Sequence, residues 1–110
     1  MSRIIEYFIR RVSIEGMSMS PTYLPGECVT ALRRWRPVRP GDVVVVRDPR
    51  DSARWLVKRC VARVGSKLDL RGDNAAASTD SREFGLVANS AIVYLVMDPR
   101  PPFGGVVAAL

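Results

Sequence analysis

The amino-acid sequence predicts a mainly β, single-domain protein, an antiparallel β barrel or sandwich with a short N-terminal helix. The chain has 110 residues, the size of one domain with a single modest core. Hydrophobic residues make up 47% and charged residues 25%, the balance of a globular chain rather than a disordered one. Many short strand-like runs recur along it, each closed by Gly or Pro, which is the pattern of barrels and sandwiches.

Residues 1–12 read as the helix, because Ile4, Ile5, Phe8 and Ile9 share a face flanked by Arg3, Arg10 and Arg11. Glu6 interrupts this apolar stretch, and a bilayer span needs roughly 20 apolar residues. The segment is read as a helix packed on the domain or lying at a membrane interface. Val12 to Glu15 alternates as a strand ending at Gly16, and Pro21, Pro25 and Gly26 punctuate the loop that follows. Strands are expected at Cys28–Leu32, Asp42–Arg47, Trp55–Val64, Lys67–Arg71 and Ala91–Met97, with a polar loop from Gly72 to Gly85. The folded domain is thus placed at 13–97 and a Pro/Gly-rich tail at 98–110.

Net charge is +6 and the pI about 10.1, so acidic partners have to be considered. Arg33, Arg34, Arg36 and Arg39 lie in a Trp/Pro-containing connection and read as a solvated loop. Helix-turn-helix, zinc-finger and RNP-type patterns are missing, so no nucleic-acid role is expected. Cys28 and Cys60 are far apart in apolar runs and read as two buried free thiols, consistent with a reducing compartment and a cytoplasmic location. No metal or cofactor is expected. Histidine is absent, which excludes Ser-His-Asp and Cys-His mechanisms. Any hydrolase built on this chain needs another base.

The expected strand Trp55–Val64 offers one. Alternation places Leu56, Lys58, Cys60, Ala62 and Val64 on one face, apolar except for Lys58, and Val57, Arg59, Val61 and Arg63 on a partly solvated face. Burial disfavours a charged amine, so an inward lysine loses its proton more readily and can accept one, as arginine cannot. Only two lysines stand against fifteen arginines. The same pattern also fits a lysine whose stem packs while its amine reaches the rim. Ser18, in Gly16-Met17-Ser18-Met19-Ser20-Pro21, is a plausible exposed nucleophile if a desolvated lysine adjoins it. Gly72-Asp73-Asn74 reads as a turn, Asp80/Arg82 as a local ion pair, and Ser78 as a hydroxyl that could orient the amine.

These pieces, in this order, resemble the type I signal peptidases. Ser18-Met19-Ser20-Pro21 matches a Ser-Met-x-Pro box, Lys58-Arg59 a Lys-Arg box, and Gly72-Asp73-Asn74 with Ser78-Thr79-Asp80-Ser81-Arg82 the third box. Gly41-Asp42 matches a further Gly-Asp. The resemblance spans roughly Ile14 to Val96 and implies the signal peptidase fold, shared with self-cleaving repressors. It implies Ser18 as nucleophile, Lys58 as general base, Ser78 bonded to the amine, and Asp80 with Arg82 as a supporting pair. Gly16 stands where some members carry a hydroxyl, so backbone N–H groups would form the oxyanion hole. The implied partner is a precursor protein with an N-terminal leader, cut between small residues, with membrane contact peripheral at most.

Two departures narrow the resemblance. Usual members carry an N-terminal transmembrane anchor, and many carry a large insertion between the Lys and Gly-Asp-Asn boxes, where only Arg59–Arg71 stands here. A short member of this kind resembles the maturation proteases of nickel-type superoxide dismutase. Two alternatives remain beside that reading. One is a self-cleaving repressor-type domain, although no Ala-Gly site lies among the fifteen residues before Gly16. The other is a catalytically silent β domain that binds peptides.

Overall fold

Four consecutive valines, Val43–Val46, occupy the middle of the molecule, and all four are buried. A β-branched run suits a pleated strand, here β3 (Val43–Asp48). Val43 and Val45 enter one apolar cluster, Val44 and Val46 another. A strand covered on both faces reads as a continuous apolar run rather than as an alternation.

The computed structural model describes residues 2–102. Helix α1 (Ser2–Phe8) leads directly into β1 (Ile9–Ser13), followed by β2 (Cys28–Arg33), β3, β4 (Asp51–Val64) and β5 (Lys67–Arg71). A 3-10 turn (Ala75–Ala77), helix α2 (Ser81–Phe84), β6 (Val87–Ala88), a second 3-10 turn (Asn89–Ala91) and β7 (Ile92–Val96) complete the order. The seven strands form one open antiparallel sheet, in the order β1-β2-β7-β3-β4-β5-β6. The mainly β, antiparallel architecture with a short N-terminal helix is the one the sequence predicts.

The two clusters lie on opposite sides of this sheet. Ile14, Met19 and Tyr23, from the loop after β1, close the first over Val29, Ala31 and Tyr94. Val38, Val87 and Leu68 close the second over Cys60, Leu70 and Leu95. β4 matters most for function. It pairs with β3 along most of its length, but β5 joins only from Arg59 onward, which leaves one backbone edge of residues 51–58 unpaired among the described residues.

Several elements differ from the sequence reading. The helix stops at Phe8, and residues 9–12, expected within it, begin the first strand, because Ile9–Ser13 pairs in register with Cys28–Leu32. β4 starts at Asp51 rather than Trp55, since the turn needs only Pro49 and Arg50. The loop from Gly72 to Gly85 contains α2, capped by Asp80 and Glu83 in a reciprocal capping box. Cys28 is exposed, on a strand beside the edge; Cys60 is buried. The arginine cluster is not simply solvated: Arg33 stacks on Tyr7 and Arg36 pairs with Asp42 at 2.7 Å.

The largest departure is Arg59, expected on a partly solvated face but only 4% exposed. Its guanidinium holds Asp73 through two bonds, Nε to Oδ1 at 2.9 Å and Nη2 to Oδ2 at 3.0 Å. It also donates to the carbonyls of Gly41 and Arg100. Arg100 in turn donates its backbone N–H to the Tyr23 hydroxyl and its guanidinium to Glu27. Residues 98–100, expected to start a tail, are therefore tied to the domain, and residues 103–110 of that tail lie outside the described residues. Asp73→Ala leaves a buried guanidinium unpaired and is expected to cost about 3–5 kcal/mol, read by urea denaturation; a loss below about 1 kcal/mol would deny the pair its structural role.

Candidate active site

The serine loop starts where Gly16 takes a φ of 70°, a left-handed conformation that costs glycine little. Three residues on, Met19 plunges into the first core and is 1% exposed. Ser18, between this turn and this anchor, is half-buried at the wall of a groove. Asn74 holds the loop from behind: its backbone N–H donates to the Ser18 carbonyl at 2.8 Å and its side-chain amide to the Met17 carbonyl at 3.1 Å. The Gly72-Asp73-Asn74 segment is thus more than a turn, since it fixes the backbone on which Ser18 sits.

Lys58 lies opposite Val44 on β4, between Leu56 and Cys60 of the second core, and is 3% exposed. Its Nζ donates to Ser78 Oγ at 2.9 Å. Ser78 Oγ donates onward to Asp80 Oδ2 at 2.7 Å, so towards the lysine it acts as an acceptor. Asp80 is fully buried and also accepts from the Gly72 N–H and from the Arg82 guanidinium, at 2.6 Å in the shortest contact. The lysine reaches the carboxylate only through the serine hydroxyl.

Both charges are shifted by these surroundings. Burial pushes the Lys58 amine below the usual lysine range, and the attraction of Asp80 and Glu83 does not restore it. Burial alone would raise the Asp80 carboxyl, but bonds from Arg82, Ser78 and Gly72 outweigh it and hold the group well below the usual carboxylate range. The surroundings thus favour the charged form of Asp80 and disfavour the charged form of Lys58.

Gly72 is where the two halves meet. A Cβ at this position would lie 2.4 Å from Ser78 Oγ and 2.6 Å from the Ser18 carbonyl oxygen. Only glycine lets the third box press against both serines. Ser18 and Lys58 line the same groove, of about 640 Å³, whose walls are Val12–Met19 on one side and the unpaired edge of β4 on the other. Among the described residues the lysine amine bonds Ser78, and no hydrogen bond joins it to Ser18.

Eight of the nine site residues singled out from the sequence gather in this region, each at a definite place. Ser18 and Gly16 form the loop, Lys58 the strand, Gly72 and Asn74 the support, and Ser78, Asp80 and Arg82 a chain behind the amine. Asp73 stands apart, committed to Arg59. Arg50 and Arg54, which also line the groove, carry no motif signal and are found only by the folding of β4 over the serine loop.

A family model described as "Signal peptidase, peptidase S26" matches residues 2–73, which includes the serine loop and Lys58-Arg59 and ends before Ser78. The chain belongs to this signal peptidase family and is a serine peptidase of the signal-peptidase type. It is 35% identical over 112 aligned residues to a protein of Arabidopsis thaliana, the mitochondrial ATP-independent inner membrane protease subunit 1a. The alignment covers 78% of this chain and 67% of that protein. No helix among the described residues is long and apolar enough to cross a membrane.

Gly72→Ala is expected to separate activity from stability. Overpacking of one methyl costs about 1–3 kcal/mol, whereas displacement of Ser18 and Ser78 together should lower kcat by about 100-fold or more. Thermal unfolding and peptide hydrolysis read the two effects, and a variant with unchanged kcat would refute the close-approach argument.

Proposed function

We propose that this protein is a serine endopeptidase in which Ser18 is the nucleophile and Lys58 the general base, and that it removes an N-terminal leader or signal peptide from a precursor protein. The buried Lys58 amine, whose pKa burial lowers and which Ser78 holds in the groove that Ser18 lines, carries this reading. Neutral Lys58 takes the Ser18 proton as the hydroxyl attacks the scissile carbonyl. The protonated amine then gives that proton to the leaving amine. Water resolves the acyl-enzyme with Lys58 again as base. Backbone N–H groups near Ser18 stabilise the oxyanion, and Asn74 keeps them in place through the Met17 and Ser18 carbonyls.

The substrate binds as an extended strand. The 14–16 segment supplies one wall, and the free edge of β4 at 51–58 supplies backbone groups for pairing on the other. The core is pared down, because β4 and β5 join through the tight Gly65-Ser66 turn without an insertion. That economy supports a dedicated maturation protease, and the precursor of a nickel-type superoxide dismutase is the first candidate substrate. A cytoplasmic site, with α1 touching a membrane peripherally, fits its unpaired thiols and the exposed apolar residues Ile4, Ile5 and Phe8. No metal or cofactor takes part in this scheme.

Co-expression with a candidate precursor, followed by the mass of the mature N-terminus, tests the assignment. Ser18→Ala and Lys58→Met should each reduce cleavage by at least about 10⁴-fold with the fold intact. Full activity in either variant ends the dyad proposal. The pH profile gives an independent check. Only the neutral amine acts as base, so kcat/KM should rise with pH along a limb whose midpoint lies below the ~10.4 of an ordinary lysine. A flat profile across the neutral and alkaline range would assign the base elsewhere.

A further inference from the structure

The charges around the groove are unevenly distributed. Six arginines are each held by a carboxylate at 3.1 Å or closer, among them Arg50, which lines the groove but is neutralised by the buried Asp48. Arg10, Arg11 and Arg54 form no ion pair among the described residues. Arg10 donates to the Tyr94 hydroxyl at 3.3 Å and Arg11 to Thr30 at 2.7 Å, both uncharged partners. Glu6 acts on Arg10, and Asp48 on Arg54, only through space.

These three unpaired arginines line two adjoining cavities. The groove beside Ser18 continues into a hollow of about 290 Å³, the two sharing Val12, Ser13 and Trp55. Arg10 and Arg11 of β1 line this hollow together with Val45 and Tyr94, and Arg54 of β4 lines the groove itself. The one carboxylate in the lining, Glu15, sits three residues from Ser18, at the catalytic end. A cleft walled by unpaired cations over apolar side chains concentrates a positive potential along its length.

We infer, resting on the peptidase reading above, that the groove selects peptides with an acidic residue a few positions from the cleaved bond. Arg54 precedes Lys58 by four residues, about 13 Å along a strand at ~3.3 Å per residue. An extended substrate therefore presents to Arg54 the side chain three to five residues from the cut. A guanidinium grips a carboxylate there through two parallel N–H···O bonds. A substrate of this class carries its negative charge in the segment flanking the cut. A leader that is basic or wholly apolar at these positions leaves the arginines uncompensated once the peptide has displaced water.

Internally quenched decapeptides with alanine on both sides of the central bond test the inference, each other position carrying Glu, Gln or Lys in turn. At one position three to five residues from the cut, Glu should exceed Gln by about tenfold in kcat/KM, and Lys should fall below Gln. Raising the salt should shrink the difference, because the pairing is partly solvated. Arg54→Glu, at an exposed position that leaves the fold intact, should reverse the order of Glu and Lys. The same peptides titrated into the Ser18→Ala protein by fluorescence anisotropy report the preference without catalysis. Equal binding and equal rates for Glu, Gln and Lys overturn the inference, as does an order unmoved by Arg54→Glu. Charge-selective binding with no cleavage by the intact enzyme upholds the selectivity and removes the peptidase reading. Uniform binding with cleavage does the reverse.

Discussion

The buried carboxylate of Asp80 is the constraint on which the site depends. An isolated charge with no exposure would be expelled or protonated. Asp80 stays because every oxygen is occupied, by the Gly72 N–H, the Ser78 hydroxyl, and the backbone and guanidinium of Arg82. The same residue caps α2 and donates its backbone N–H to the Glu83 carboxylate in return. One saturated carboxylate thereby fixes the start of a helix, the direction in which a hydroxyl points, and the place of the glycine that touches the serine loop. No member of this set can shift without exposing an unpaired group, and such networks are stable only when fully satisfied.

The second ion pair in the interior, Arg59–Asp73, works at longer range. Lys58 and Arg59 are adjacent, so their side chains leave opposite faces of β4. Lys58 reaches into one core side while Arg59 gathers the Gly-Asp turn at Gly41, the third box at Asp73 and the chain near Arg100. Arg100 then bonds the Thr22 carbonyl and the Tyr23 hydroxyl, just beyond the serine loop. Three sequence-distant segments are held in register by one guanidinium. A lysine at 59 could not do this, since only a planar fork satisfies a carboxylate and two carbonyls together.

How far the sequence reveals this depends on the kind of information needed. The two-residue period along 56–60 places Lys58 inward, because alternation is a local property of strands. The same period cannot tell whether the opposite face is covered, so Arg59 reads as solvated until the third box is seen to fold over it. Cys28 reads as buried because its neighbours are apolar, yet it is exposed at the start of β2. The order of the three boxes points to Ser18, Lys58 and Ser78 through family resemblance. Asn74's grip on the serine loop spans 57 residues, and no pattern within either segment announces it. The free edge of β4 and the arginines facing it arise from where β5 begins to pair, which is a matter of tertiary register.

The absence of histidine and the interposed serine belong together. In the proposed dyad, with no imidazole in the sequence, the base is a lysine whose charged form is penalised, and burial provides the penalty. A carboxylate bonded directly to that amine would cancel the effect, because an opposite charge within hydrogen-bond distance stabilises the protonated form. Ser78 separates the two. It passes on the orientation that Asp80 imposes, donating its only proton to the carboxylate and accepting from the amine and the Gly72 N–H. Arg82, bonded to both Asp80 oxygens, offsets the negative charge that faces the lysine. The site thus holds the amine in a fixed direction with no carboxylate bonded directly to it, which is the electrostatic condition the proposed lysine base requires.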